Sequence, residues 1–212
     1  AILNYLLYTH LIFTTLPLVF YLLFKRKNRK NKALRVVLFY ILYCIFNEGM
    51  SYYLQSIRSE NFIFLLYAFT IVEYSFFCYF IFIILPRSSI KKLVSFIWVS
   101  FILFAILDIL YFSTNKDLDS FAIGIESIII FILCISYLVT QLKGSNSLII
   151  YSSFNFWVVI TYLIYFSGTF FLYLMTNSIS HNGSFQKQYF IINISFNILK
   201  NILLSIAMTM RL

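Results

Sequence analysis

Six ionisable side chains lie inside long apolar stretches of the sequence, where charged groups are uncommon. They are His10, Glu48, Glu73, Asp108, Glu126 and Lys200. In hydrocarbon each of them costs about 3 kcal/mol or more, unless it faces the protein interior and has a partner. One lysine among four acids can form an ion pair, relay protons or bind a polar solute. The sequence therefore predicts a polar site inside a membrane protein.

The last apolar stretch carries a polar stripe that positions the lysine. The stripe consists of Asn193, Asn197, Lys200, Asn201 and Ser205. Their spacings of three and four residues place them on one face of a helix, and a polar face of a membrane helix points inward. We expect Lys200 to pair with Glu73, Glu48 or both. His10 could supply a second cation, or one acid could stay protonated.

Depth divides the ionisable residues into two groups. At a rise of 1.5 Å per residue, His10, Glu48, Glu73 and Lys200 lie roughly 13–17 Å below the outer surface, near the middle of a bilayer. We expect them, with Asn197 and Asn201, to form the intramembrane site. Asp108 and Glu126 lie roughly 6–9 Å deep and are expected to form an outer polar entrance. A polar latch that only holds the helices together is the alternative.

Composition indicates the elements that position this site. The chain has 212 residues, of which 62% are hydrophobic and only 11% charged, whereas a soluble domain carries about 25% charged residues. A helix of about 20 apolar residues crosses a bilayer, and the sequence is a series of such stretches. It predicts a single all-α domain over residues 1–212, a bundle of seven transmembrane helices. The predicted helices are Ala1–Phe24, Ala33–Ile57, Phe62–Leu85, Ile90–Phe112, Ser120–Leu142, Leu148–Thr176 and Tyr189–Met210.

Basic residues predict the orientation of the bundle. One set of alternate loops with the C-terminus holds twelve of them, Lys25, Arg26, Lys27, Arg29, Lys30, Lys32, Arg35, Arg87, Lys91, Lys92, Lys143 and Arg211. The other set holds three, Arg58, Lys116 and Lys187. Loops rich in lysine and arginine remain in the cytoplasm, so we expect the N-terminus outside and the C-terminus inside, in a cytoplasmic (inner) membrane. The cluster Lys25–Lys32 fits this orienting role and could also hold anionic lipid headgroups.

Motifs for enzymatic chemistry are missing from the sequence. It contains no HExxH or CxxC motif and only two histidines, so neither a metal site nor a catalytic site is predicted. No cofactor is expected. The net charge of +9 follows from membrane topology and does not indicate a nucleic-acid partner. A retinal Schiff base at Lys200 is disfavoured, because position 196 is Phe instead of an acid one turn earlier.

Three stretches resemble the seven-helix membrane input regions of bacterial two-component signalling proteins and related stand-alone membrane proteins. They are FTIVEYSFF at Phe69–Phe77, FWVVITYLIYFSGTFF at Phe156–Phe171 and NILKNILLSIAM at Asn197–Met208. The resemblance implies a membrane sensor whose last helix passes a signal inward. The chain ends two residues after that helix, so either an output domain has been removed or a separate cytoplasmic or membrane partner, such as a kinase, receives the signal.

Two other functions remain open at the level of sequence. The same acids could serve a proton-coupled transporter or channel, although no internal repeat is found. The protein could also be an effector subunit of a membrane defence complex, which predicts a homo-oligomer.

Overall fold

The computed structural model describes residues 2–24, 31–57, 61–85, 88–108, 120–143, 151–174 and 183–210. These residues form seven α-helices, and the described part of the chain contains no extended β-sheet. The helices are α1 Ile2–Phe24, α2 Lys32–Ser56, α3 Asn61–Ile84, α4 Ser88–Leu107, α5 Ser120–Leu142, α6 Phe154–Leu174 and α7 Gly183–Thr209. The predicted all-α class is confirmed.

Five of the helices are long and apolar enough to cross a membrane. The segments are Lys32–Leu54, Phe64–Ile84, Ile90–Leu107, Ala122–Leu142 and Lys187–Thr209. Within the described side chains, α1 and α6 contribute shorter apolar segments, Tyr8–Phe24 and Phe154–Phe170. Large apolar side chains such as Phe64 and Phe96 are about 70% exposed on the outside of the bundle, at 69% and 71%. Such a surface suits lipid and not water, as in a multi-pass membrane protein.

Six helices form a closed ring in the order α1, α2, α3, α5, α6 and α7, with α7 returning to pack against α1. The remaining helix, α4, lies outside the ring and packs mainly against α3. The pair α2 and α3 runs antiparallel: Tyr43 stacks on Phe69 and Tyr40 meets Phe76. The interior of the ring is therefore reached by side chains from six helices, while α4 supports it from outside.

Local sequence signals account for several helix ends and contacts. Asn31 precedes α2, and its side-chain oxygen accepts a hydrogen bond of 2.8 Å from the backbone N–H of Ala33, which is an N-cap. Gly168 allows α6 to approach α7 closely, because a β-carbon at this position would overlap the ring of Phe196. The SGT sequence at 167–169 thus marks a close helix contact. Pro17 lies inside α1.

The predicted boundaries are correct to two residues for α2, α3 and α5, but wrong at two helices. Residues 151–153 are not α-helical, and α6 begins at Phe154 instead of Leu148. The last helix begins at Gly183 instead of Tyr189, so half of the loop predicted at 178–188 is helical. The prediction followed the end of the apolar stretch, and a helix can continue beyond that point with polar residues. The predicted end of α4 at Phe112 lies outside the described residues.

Candidate functional site

A buried cluster of three polar side chains lies in the centre of the ring. Lys200 on α7 forms an ion pair with Glu73 on α3, with 3.3 Å between Nζ and Oε1. Tyr40 on α2 donates a 2.5 Å hydrogen bond to the same oxygen and accepts a 3.0 Å bond from Lys200. The side chains of Lys200 and Glu73 are only 4% and 5% exposed. The prediction that Lys200 points into the bundle and pairs with an acid is confirmed, and that acid is Glu73.

Aromatic rings surround the lysine and close the site on one side. The Nζ atom of Lys200 lies 4.1 Å from the ring centre of Tyr165, a distance typical of a cation–π interaction. The ring of Tyr162 lies 5.7 Å from that of Tyr40 and 4.6 Å from that of Phe77. We call Tyr40, Tyr162 and Phe77 the aromatic floor. These three residues belong to the apolar core of the bundle, so the polar cluster lies directly against that core.

A cleft of about 290 Å³ lies on the other side of the lysine. Five helices supply its walls, α1, α2, α3, α6 and α7. The residues that line it are His10, Thr14, Cys44, Asn47, Glu48, Ser51, Leu66, Phe69, Tyr165, Phe190, Asn193, Ile194, Asn197, Lys200 and Asn201. They lie toward the end of the bundle where α2 ends and α3 and α7 begin, which we call the open end.

A second, looser contact between two titratable side chains lies inside the cleft. His10 on α1 faces Glu48 on α2, with 3.7 Å between Nε2 and Oε1. The Glu48 side chain is 35% exposed, against 10% for His10. This distance exceeds that of a hydrogen bond, so the two groups are close without a direct bond. The structure therefore brings His10, Glu48, Glu73 and Lys200 together as two contacts: a buried ion pair whose lysine lines the cleft, and the wider contact between His10 and Glu48.

The polar stripe of α7 faces α1 and the cleft. Asn197 donates to the backbone carbonyl of Asn193 at 3.0 Å. Asn201 donates to the hydroxyl of Thr14 on α1 at 3.5 Å, and it is 6% exposed. The structure thus brings Asn197 and Asn201 to the predicted site. Through Asn201, α1 is joined to the same helix that carries Lys200.

The two acids predicted to form an entrance lie elsewhere. Asp108 and Glu126 are 5% and 2% exposed, and neither is among the described residues that line the cleft. Glu126 is on α5, which contributes no wall to the cleft, and it faces the interior close enough to Glu73 and Lys200 for electrostatic interaction. The described lining of the cleft lies instead at the open end, near Ser51 and Phe190, and an entrance at Asp108 and Glu126 stays a prediction.

Several residues of the site were missed at the level of sequence. Tyr40, Cys44, Asn47 and Ser51 recur on α2 at spacings of four, three and four, so they share one face. That spacing was available, but tyrosine and cysteine are also common in apolar helices. No pattern in the sequence distinguishes Tyr165 from the other tyrosines of the apolar helices.

The basic cluster lies mostly beyond what the structure covers. Lys25, Arg26, Lys27, Arg29 and Lys30 are outside the described residues, while Lys32 begins α2 and is exposed. No group of three or more histidine, cysteine, aspartate or glutamate side chains suited to a metal ion occurs among the residues described.

The cleft is large enough to hold a small polar solute, and Glu48 and Lys200 both lie in its lining. A comparison with protein-family models, curated proteins and solved structures gives no match. The chemistry of the site is therefore the guide to function.

Proposed function

We propose that this protein is a membrane-embedded sensor in which a solute entering the cleft changes the position of α7. The observation that carries the proposal is the Lys200–Tyr40–Glu73 cluster at the base of an open polar cleft. A buried pair that touches a solute site is sensitive to small changes in charge, because its interaction is strong only in one geometry. A switch requires two alternative packings, and separation of Lys200 from Glu73 would supply the second.

The proposed topology has seven spans, with the open end outside and the C-terminus in the cytoplasm. The unequal distribution of basic residues between alternate loops supports this orientation. It places the cleft toward the extracytoplasmic side of the inner membrane and the end of α7 on the cytoplasmic side. A solute would thus meet one end of α7 while an output protein meets the other.

The contacts of α7 favour this helix as the output element. It carries Lys200 and Asn201, which bond to α2, α3 and α1. Close packing of Gly168 against Phe196 joins it to α6. Every wall of the cleft except α7 itself therefore contacts α7 or its charged residue, and a change in the cleft has a direct route to it. The proposed receiver is a cytoplasmic or membrane protein, such as a kinase.

A transporter or proton-coupled channel is the second candidate, because Glu48 lines the cleft and a second buried acid, Glu126, lies within electrostatic range of Glu73. Glu126 supplies a buried oxygen without a hydrogen-bond partner among the described residues. Against a path through the bundle, the aromatic floor and the apolar core beyond it close the cleft. Proton flux in liposomes that disappears in Glu48→Gln would favour transport.

Site-specific photo-crosslinking tests the sensor proposal. A photo-reactive residue is placed at Thr209, the exposed last residue of α7, and the protein is irradiated in native membranes. The matched control places the same group at Lys187, which is exposed near the other end of α7. We expect a protein crosslinked from Thr209 and not from Lys187.

The variant Glu73→Gln distinguishes a signalling partner from a passive neighbour. It removes the charge of Glu73 and keeps an oxygen that accepts the bonds from Tyr40 and Lys200. We expect the Thr209 crosslink to become several-fold stronger or weaker, since this pair sets the position of α7. An unchanged crosslink in a well-folded variant, or only crosslinks between copies of this chain, contradicts the proposal.

A further inference from the structure

The cleft contains buried polar atoms that lack partners. The side-chain oxygen of Asn47 and the Nε2 atom of His10 have no hydrogen bond within the described part of the chain. Both residues line the cleft, and they are only 7% and 8% exposed. Buried polar atoms are nearly always hydrogen-bonded in folded proteins, and an unpaired one costs about 1–3 kcal/mol. These two atoms therefore indicate a guest that bonds to them.

The charges of the lining determine what kind of guest is favoured. Lys200 already donates to Glu73 and Tyr40 and lies against the ring of Tyr165, so its charge is compensated within the protein. The carboxylate of Glu48 accepts no hydrogen bond among the described residues: His10 lies 3.7 Å away, and Lys200 interacts with it only at longer range. Glu48 and the Asn47 oxygen are both acceptors, and they lie on adjacent positions of α2. A guest that donates hydrogen bonds and carries positive charge satisfies both.

Aromatic side chains and the size of the cleft restrict the guest further. Phe69 and Phe190 line the same cleft, and aromatic faces attract organic cations. The contact between Lys200 and Tyr165 is an example within this protein of an ammonium group on a ring. A volume of about 290 Å³ is at the lower end of ligand pockets, about 300–1,000 Å³. The guest is therefore a small molecule and not a peptide.

We propose that the cleft binds a small primary amine in its protonated form, with Glu48 as counter-ion and Asn47 as second acceptor. This proposal names the class of ligand for the proposed sensory site, and it rests on that proposed function. An ammonium group has three N–H donors, which suits Glu48 and the Asn47 oxygen. A quaternary ammonium has none and is expected to bind more weakly.

Cys44 provides a native probe for the experiment. It lines the cleft and is 9% exposed, whereas Cys78 and Cys134 are 0% exposed and are not among its described lining residues. The purified full chain in lipid nanodiscs is labelled with N-ethylmaleimide, and the rate at Cys44 is followed by mass spectrometry. Protection is measured against increasing benzylamine, with Cys44→Ser as the labelling control. Benzyl alcohol, benzoate and benzyltrimethylammonium serve as neutral, anionic and quaternary comparison compounds.

We expect benzylamine to protect Cys44 at lower concentration than all three comparison compounds. Glu48→Gln should raise the half-protecting concentration about tenfold or more, because a charge-assisted hydrogen bond is lost. Glu48→Asp keeps the charge and should retain the preference for amine over alcohol. Each rate is divided by the rate of the same variant without ligand, which removes any effect of the substitution on Cys44 itself.

Three results would overturn the inference: no protection by benzylamine, equal protection by benzyl alcohol, or an unchanged half-protecting concentration in Glu48→Gln. These results do not depend on the output partner. A chain that crosslinks a partner from Thr209 but does not bind benzylamine is a sensor for another ligand class. A chain that binds benzylamine without a partner keeps the amine site and loses the sensory role.

Discussion

The two halves of the bundle are built from the same helix faces but from different residue types. On α7 one face carries Asn193, Asn197 and Lys200, and three to four residues later it continues with Leu204 and Ala207. The first group lines the cleft, whereas Leu204 and Ala207 are 1% and 0% exposed in the apolar core. We call these the open half and the closed half.

The face of α2 changes in the opposite chain direction, as its antiparallel packing requires. It begins with Ala33, Val37 and Tyr40 in the closed half and continues with Cys44 and Asn47 in the cleft. Both helices change at the level of Tyr40 and Lys200. In the described residues, the position of the cleft is therefore set by the point at which these helix faces change from apolar to polar, and not by a loop or a separate domain.

Removing the charge of Glu73, at the boundary between the halves, should lower the stability of the protein more than the other substitutions below. Glu73→Leu leaves the buried ammonium of Lys200 without its counter-ion, which is expected to lower the free energy of unfolding by about 3–5 kcal/mol. Denaturation of the purified protein in mixed micelles measures the change. Adding Lys200→Met in the same chain should restore most of the loss, because the uncompensated charge is then gone. Equal instability of the single and double variants would contradict this explanation.

A cavity in the closed half should cause the next largest loss of stability. Phe80 is 2% exposed, and its ring packs against Phe154. Phe80→Ala should lower the unfolding free energy by about 2 kcal/mol, because the cavity cost remains although lipid is as apolar as the core. Phe96→Ala is the matched control, since Phe96 is 71% exposed on the lipid-facing surface. A loss at Phe96 as large as that at Phe80 would show that position in the bundle does not matter.

The contact between α6 and α7 should be sensitive to a single methyl group. Gly168→Ala places a β-carbon where the ring of Phe196 now lies, so one helix or the ring must move. We expect a loss of about 1 kcal/mol, measured in the same unfolding assay. The cost should be smaller in a Phe196→Leu background, where the opposing side chain is shorter. A cost that is the same in both backgrounds would exclude this overlap as its cause.

A substitution in the open half should have the smallest effect on stability. The oxygen of Asn47 has no hydrogen bond in the described structure, so Asn47→Ala removes an unsatisfied group and no bond. We expect the unfolding free energy to change by less than about 0.5 kcal/mol or to rise. Binding of benzylamine should weaken at the same time. A large loss of stability would mean that Asn47 supports the bundle, and the functional contrast between the halves would fail.

The sequence was sufficient for the helices and for half of the site. Long apolar stretches predicted the helical class, and the stripe on α7 predicted the inward direction of Lys200. The sequence could not decide whether Lys200 pairs with Glu48 or with Glu73, because both acids lie at the same depth. Only the packing of α2 and α3 places Glu73 beside the lysine. Depth also did not reveal that Asp108 and Glu126 lie outside the lining of the cleft, because depth along a helix does not specify which neighbours the helix has.

Pro17 gives α1 a mechanical property that the other cleft helices lack at this level. Proline has no backbone N–H, so it cannot donate to the carbonyl of Phe13 four residues earlier. The turn before Pro17 therefore has one backbone hydrogen bond fewer than the rest of α1, and prolines inside helices commonly mark a bend. His10 and Thr14 both lie within about two turns on its N-terminal side. Because Thr14 also accepts a hydrogen bond from Asn201 on α7, any change in the bend of α1 would act on α7 as well as on the cleft.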